Sequence, residues 1–181
     1  MSRPIAPMRF AFADPPYLGC GRLYAKHHPE AMAWDDPETH ARLVAKLRDE
    51  YPDGWALCMH EPSLRVILPM LPDDARIAAW VKPFASFKPN VPRAYTWEPV
   101  AFVGGRDMGR ADATWRDHIS EPITLRKGLT GAKPRRFCHW VLDGLNWRPG
   151  DALDDLFPGT GIMGEAIQER LGISVQGGLF A

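Results

Sequence analysis

Two short stretches hold residue types from which a reactive site could be built. In "FADPPYLGCG" (12–21) an acid, Asp14, two prolines, Pro15 and Pro16, and an aromatic, Tyr17, directly follow a short apolar run. A carboxylate can accept hydrogens or face a cation, and paired prolines stiffen the backbone that carries it. In "DLFPGTGIMGEA" (155–166) a strand, a glycine turn and a helix start follow one another. Gly159 and Gly161 allow a ligand to lie against the backbone, and the helix behind them aims free N–H groups at whatever binds there. Taken singly, each is also an ordinary corner: an Asp-initiated turn with Pro at its second position, and a βα turn whose glycines serve sterics alone.

The elements around them must bring these corners together. "MRFAFA" (8–13) predicts a short apolar strand ending at Asp14, followed by a loop over 18–35. "DDPETHARLVAKLRDEY" predicts a helix with Asp36 as N-cap, Pro37 at its first position and Leu43, Val44 and Leu47 on one face. Strands follow at "GWALCMH" (54–60), "ARIAAWVKP" and "WEPVAFVGG", with a helix start broken by Pro69 in "EPSLRVILPML". The last third repeats the pattern, with a helix over 134–145, the strand "DALDDLF", a helix over 162–171 and a strand "ISVQG". Strands alternating with helices predict an α/β fold, Rossmann-like, with a mostly parallel sheet and helices on both faces. In such a sheet ligands sit beyond the carboxyl ends of the strands. If "MRFAFA" and "DALDDLF" are neighbours, both corners face one crevice.

The chain has 181 residues, enough for a single domain over 1–181. Lys plus Arg and Asp plus Glu number 22 each, so no global field draws nucleic acid or a membrane, and any such pull is local. One local bias exists: residues 104–136 carry eight basic against four acidic side chains. Within it, 104–131 is polar and poor in apolar periodicity, and reads as a small basic insertion, a long loop or lobe. Cys20, Cys58 and Cys138 are odd in number and far apart, which suits a reducing cytoplasm and neither a disulfide framework nor a thiolate metal site. The start lacks a secretion-signal core and no apolar run approaches a membrane span, so a cytoplasmic protein without membrane contact is expected. His27 and His28 have no carboxylate or Cys at ligand spacing, and no metal is expected.

"ADPPYLGCG" resembles the catalytic motif of the amino-group (N6-adenine/N4-cytosine) DNA methyltransferases, and "KPRRFCHWVLDGLNWRPGDALDDLFPGTGIMGEA" (133–166) resembles their methyl-donor segment. The catalytic corner precedes the donor corner, as in the circularly permuted members. "AAWVKP" and "YTWEPVAFVGG" resemble later sheet strands of that family, so the likeness touches most of the chain outside 104–131. The resemblance implies transfer of a methyl group from S-adenosylmethionine to the exocyclic amine of a DNA base. The nitrogen's lone pair is delocalised into the ring, and Asp14 with the Pro15 carbonyl would accept its hydrogens and turn the lone pair towards the methyl carbon. Tyr17 would stack on a base swung out of the duplex.

For the donor, the resemblance implies Asp14, Lys133, Phe157, Gly159, Thr160 and Gly161 around the ligand, Asp155 near its amino group, and Thr130, from the residues preceding the Lys-Pro pair, near its carboxylate. "LTGA" replaces the family's residues before Lys-Pro, and the acidic residue that family members place after the glycine helix to hold the ribose is missing from "ISVQGGLFA". Arg22, Lys26, His27 and His28 could reach phosphates beside a flipped base. Arg110, Trp115, Arg116, Arg126 and Lys127 lie in the insertion, where the family usually carries target recognition. Cys20 does not follow a proline and so does not match the nucleophile of cytosine C5 enzymes. Adenine N6 is the favoured target, with DNA, duplex or single-stranded, as partner; a homodimer is compatible. Cytosine N4, RNA, or a non-catalytic nucleic-acid-binding relative are the alternatives, and host protection, phage self-marking and regulation stay open as settings.

Overall fold

The computed structural model describes residues 6–26, 28–84, 92–124 and 132–173. Its centre is a six-stranded sheet in the order β5-β3-β4-β2-β1-β6. The strands are β1 (Arg9–Ala13), β2 (Gly54–Cys58), β3 (Arg76–Val81), β4 (Trp97–Gly104), β5 (His118–Ser120) and β6 (Ala152–Asp155). β1 pairs parallel with β2 and β6, and β3 parallel with β5, while β4 runs antiparallel between β2 and β3. The helices are α1 (Gly21–Tyr24), α2 (Pro37–Glu50), α3 (Leu64–Ile67), α4 (Arg135–Gly144) and α5 (Ile162–Arg170). This is a Rossmann-like α/β fold, with a mostly parallel sheet as the alternation of elements predicts.

β1 and β2 are central, so both of their faces are covered and, after the exposed Arg9 that opens β1, their sequences read as apolar runs. Side chains alternate between two cores. Phe10, Phe12, Ala56 and Cys58 pack with Phe137, Trp140, Val141 and Met163 from α4 and α5. Ala11, Ala13, Trp55 and Leu57 pack with Leu43, Val44 and Leu47 of α2 and Ile67 of α3. The α2 face buries His40, Leu43, Val44 and Leu47, a spacing of three and four residues, and its start is capped where the Asp36 carboxylate accepts from the Glu38 N–H at 3.0 Å. Pro69 ends α3 after one turn, and 3-10 turns flank it at Glu61–Ser63 and Leu68–Met70.

Two expectations need correction. The segment 18–35 is no loop: α1 and a 3-10 helix over Pro29–Asp35 fold against each other. The Gly21 N–H donates to Asp35 Oδ1 at 2.8 Å, and a Cβ at Gly21 would stand 2.5 Å from the Ala31 carbonyl, so only glycine permits this approach. Nor does the described part of 104–131 stand off as a lobe. Gly105 and Arg106 donate to the carbonyls of Asp53 and Leu145, Arg106 pairs with buried Asp151, and 118–120 adds β5 to the sheet edge. The strand expected at "ISVQG" lies, after its first residue, outside the described residues.

Candidate active site

Parallel pairing of β1 with β6 sets Phe12 opposite Asp155, and the Leu156 N–H donates to the Phe12 carbonyl at 2.9 Å. Both strands therefore end at the same level, and the chain leaves one as Asp14-Pro15-Pro16-Tyr17 and the other as the turn 156–161. Gly159 and Gly161 take φ of 47° and 75°, the left-handed region, which swings the chain into α5. Asp14, Pro16, Asp155, Phe157, Gly159 and Thr160 line one cavity of about 520 Å³. Its far wall comes from α1 and the 3-10 helix after it, through Tyr24, His28, Glu30 and Trp34. Trp34 sets its ring edge-on to Phe157, centroids 5.1 Å apart.

The acid at the corner belongs to a buried network. Lys133 Nζ donates to Asp14 Oδ1 at 2.8 Å and to the Tyr17 hydroxyl at 3.0 Å, and lies 3.4 Å from Glu98 Oε2. The Tyr17 hydroxyl is 2.7 Å from Glu98 Oε2, and Lys82 Nζ donates to Glu98 Oε1 at 3.0 Å. Burial pushes the Asp14 carboxyl up, Lys133 opposes that rise and Glu98 adds to it. Burial alone would favour neutral Lys133, but Asp14 and Glu98 outweigh it and hold the ammonium well above the ordinary lysine range. For Glu98, burial is likewise outweighed, by Lys133 and Lys82, and its carboxyl sits below its usual range. Asp155 is pushed up to about 6, chiefly by burial, against the hydrogen bond it accepts from the Phe157 N–H and with Asp14 adding to the rise.

Not every expected residue stands where the sequence suggested. Lys133, expected among the donor-binding residues, lines the cavity but turns its charge to Asp14 and Glu98. Tyr17, expected to offer its ring to a base, already carries the His60 imidazole on one face, centroids 5.3 Å apart and 21° between planes. Trp115 is no free surface aromatic: it packs on Phe102 and Trp140, and its indole N–H donates to the Trp140 carbonyl. Arg116 lines a separate hollow with Trp115 and Trp140, while Arg110 is exposed. Arg22 and Lys26 are exposed on the segment whose Leu23, Tyr24 and His28 line the cavity. Cys20 lies 3.9 Å from His60 Nε2. Thr130, Arg126, Lys127 and His27 are outside the described residues, as are 174–181, where the ribose-binding acid was sought.

Trp34, Tyr24, His60, Lys82 and Glu98 were not singled out from the sequence. Glu98 had a signal, a lone acid inside the apolar run "WEPVAFVG" of β4. Trp34 had none beyond its place just before the α2 cap. Among the described residues no three His, Cys, Asp or Glu side chains come together to hold a metal ion, and no helix is long and apolar enough to cross a membrane.

No family model matches the chain, and no curated protein matches it. A solved structure does: the crystal structure of the M1.HpyAVI–SAM complex is similar over 93% of this chain and 80% of that one, with a TM-score of 0.54 and 15% identity. At that identity the likeness speaks for the fold.

Proposed function

We propose that the protein transfers a methyl group from S-adenosylmethionine to the exocyclic amine of a nucleic-acid base, with adenine N6 in DNA as the favoured acceptor. One observation carries the reading: an acidic, proline-stiffened corner and a glycine turn 145 residues later, Asp14 and Gly159, open onto a single cavity. The solved structure similar over nearly the whole chain is a complex with SAM, which supports the same donor here.

The residues present fit that group. Gly159 and Thr160 of the turn line the cavity, whereas Gly161, expected beside the donor, is not among its lining residues. Phe157, Leu156, Trp34, Ile162 and Met163 give an apolar bed for a purine, Asp155 and Asp14 give acceptors for an ammonium, and the first turn of α5 offers N–H groups without helical partners. When bound, the donor supplies a methyl carbon already activated by positive sulfur, whose carbon–sulfur electron pair stays on sulfur as the new carbon–nitrogen bond forms. The chain's task is then alignment. Asp14 and the Pro15 carbonyl accept the amine hydrogens and orient its lone pair, and the prolines keep both acceptors from turning away. In this reading the Tyr17 ring stacks on the base with the face that His60 does not cover, worth about 1–3 kcal/mol.

Incubation with donor labelled in its methyl group, followed by digestion of the acceptor to nucleosides and mass spectrometry, tests the reading. Label in N6-methyladenine supports it; label in N4-methylcytosine moves the target; no label in duplex DNA, single strands or RNA overturns it in favour of a non-catalytic binding protein.

A further inference from the structure

Behind the acidic corner lies a charged pair that alignment of the amine does not require. Glu98 stands on β4 opposite Trp80 of β3, its side chain 16% exposed, and Lys82 just past β3 is 9% exposed. Ions this deeply buried are costly unless paired and fully hydrogen-bonded, so their presence beside Asp14 asks for a reason.

The reason lies at the Tyr17 hydroxyl, which has one hydrogen and two carboxylate neighbours. Glu98 Oε2 is at 2.7 Å and Asp14 Oδ1 at 3.2 Å. The shorter contact to a fixed anion takes the hydrogen, and the hydroxyl oxygen in turn accepts from Lys133. Lys82 on the other oxygen keeps Glu98 anionic. Asp14 Oδ1 is then left with Lys133 as its donor.

We propose that Glu98 is a positioning residue: by holding the Tyr17 hydroxyl hydrogen it withholds a donor from Asp14 and keeps that carboxylate a strong acceptor for the substrate amine. The inference rests on the functional reading above. As the nitrogen gains its methyl group, one N–H bond breaks with its electron pair remaining on nitrogen, and the proton passes to the Asp14 carboxylate, which afterwards releases it to water. A carboxylate with one internal hydrogen bond fewer binds that proton more firmly. The other ionisable groups facing Asp14 are Asp155 and Tyr24 on the cavity wall and the thiols of Cys58 and Cys138, of which Tyr24 and Cys58 also feel the charge of Glu98.

The test is Glu98→Gln, which keeps size and an acceptor oxygen but loses the charge, so that the Tyr17 hydrogen turns to Asp14. We expect kcat to fall about tenfold, the scale of one positioned hydrogen bond, with the donor Kd within about twofold because Glu98 does not line the cavity. The acid limb of the kcat profile moves to lower pH; a fall in kcat with an unmoved limb overturns the proposal. The double variant K82M/E98M removes the pair with side chains of similar length, which tends to preserve folding, and must move the limb the same way. Direct titration of the Asp14 carboxyl by carbon-13 NMR, assigned with Asp14→Asn, needs no turnover. A downward shift in Glu98→Gln supports the coupling, and no shift overturns it. If Glu98→Gln shows the shift while the wild type transfers no methyl, the functional reading alone is overturned.

Discussion

Asp155 lies directly across the sheet from Phe12, joined through parallel pairing of strands that stand 143 residues apart in the chain. That one register places the two corners at a common height, and several expectations depend on it.

Asp14→Ala removes the acceptor of the amine hydrogens while leaving the glycine turn, Trp34 and Phe157 in place. Methyl transfer should drop roughly a thousandfold, as for loss of a preorganised transition-state hydrogen-bond partner, while calorimetric titration finds donor affinity changed only a few-fold. Turnover near the wild-type rate would remove the mechanism.

Asp155 supplies a pH dependence whose sign follows from its raised pKa. Folded, it titrates at about 6; unfolded, at about 3.9. Between these values the folded chain holds more protons, so the stability this group contributes is complete below the unfolded value and is lost as pH rises through 6. The wild type should therefore lose stability relative to Asp155→Asn between pH 4 and 6.5, read as the difference in Tm. Donor affinity should rise over the same range in the wild type, as the carboxylate ionises beside a cationic ligand, and stay flat in the variant.

Gly159→Ala tests the turn. Its φ of 47° is left-handed, and an L side chain there costs about 1–2 kcal/mol. The added methyl meets only the Phe157 carbonyl, at 3.7 Å, so folding survives. A modest fall in Tm should accompany a roughly tenfold weaker donor Kd, the effect of a methyl group at the wall of the cavity.

Trp34 closes that cavity from the far side. Trp34→Ala should weaken donor binding by about tenfold or more, with Trp34→Phe recovering part of the loss because an aromatic edge still meets Phe157. Quenching of indole fluorescence on donor addition should vanish in both variants if Trp34 is its source.

Acceptor phosphates should be felt by the segment next to the cavity. Charge reversal at Arg22 and Lys26 should weaken nucleic-acid binding and lower the salt dependence by about two phosphate contacts. Reversal at Arg116, which belongs to a separate hollow with packed Trp115, should change little. The opposite ranking, read from binding curves at several salt concentrations, would return recognition to the 104–131 segment.

From the sequence alone, the described strands other than β5, the α2 cap and both corners were legible, because each depends on local chemistry: apolar runs, an Asp before a Pro, glycines before a helix. Tertiary structure alone decided the rest. Pairing of β1 with β6 is a contact between chain ends, which no local pattern specifies. Glu98 and Lys82 became part of the site only because antiparallel β4 returns past β3 and brings them under Tyr17. Trp115 left the candidate surface because Phe102, Trp140 and Gly144 made a pocket for its ring. Residue type announces what a side chain can do; which partner it meets is set by packing across the whole fold, which buries Asp14 and brings a lysine from 119 residues away against it.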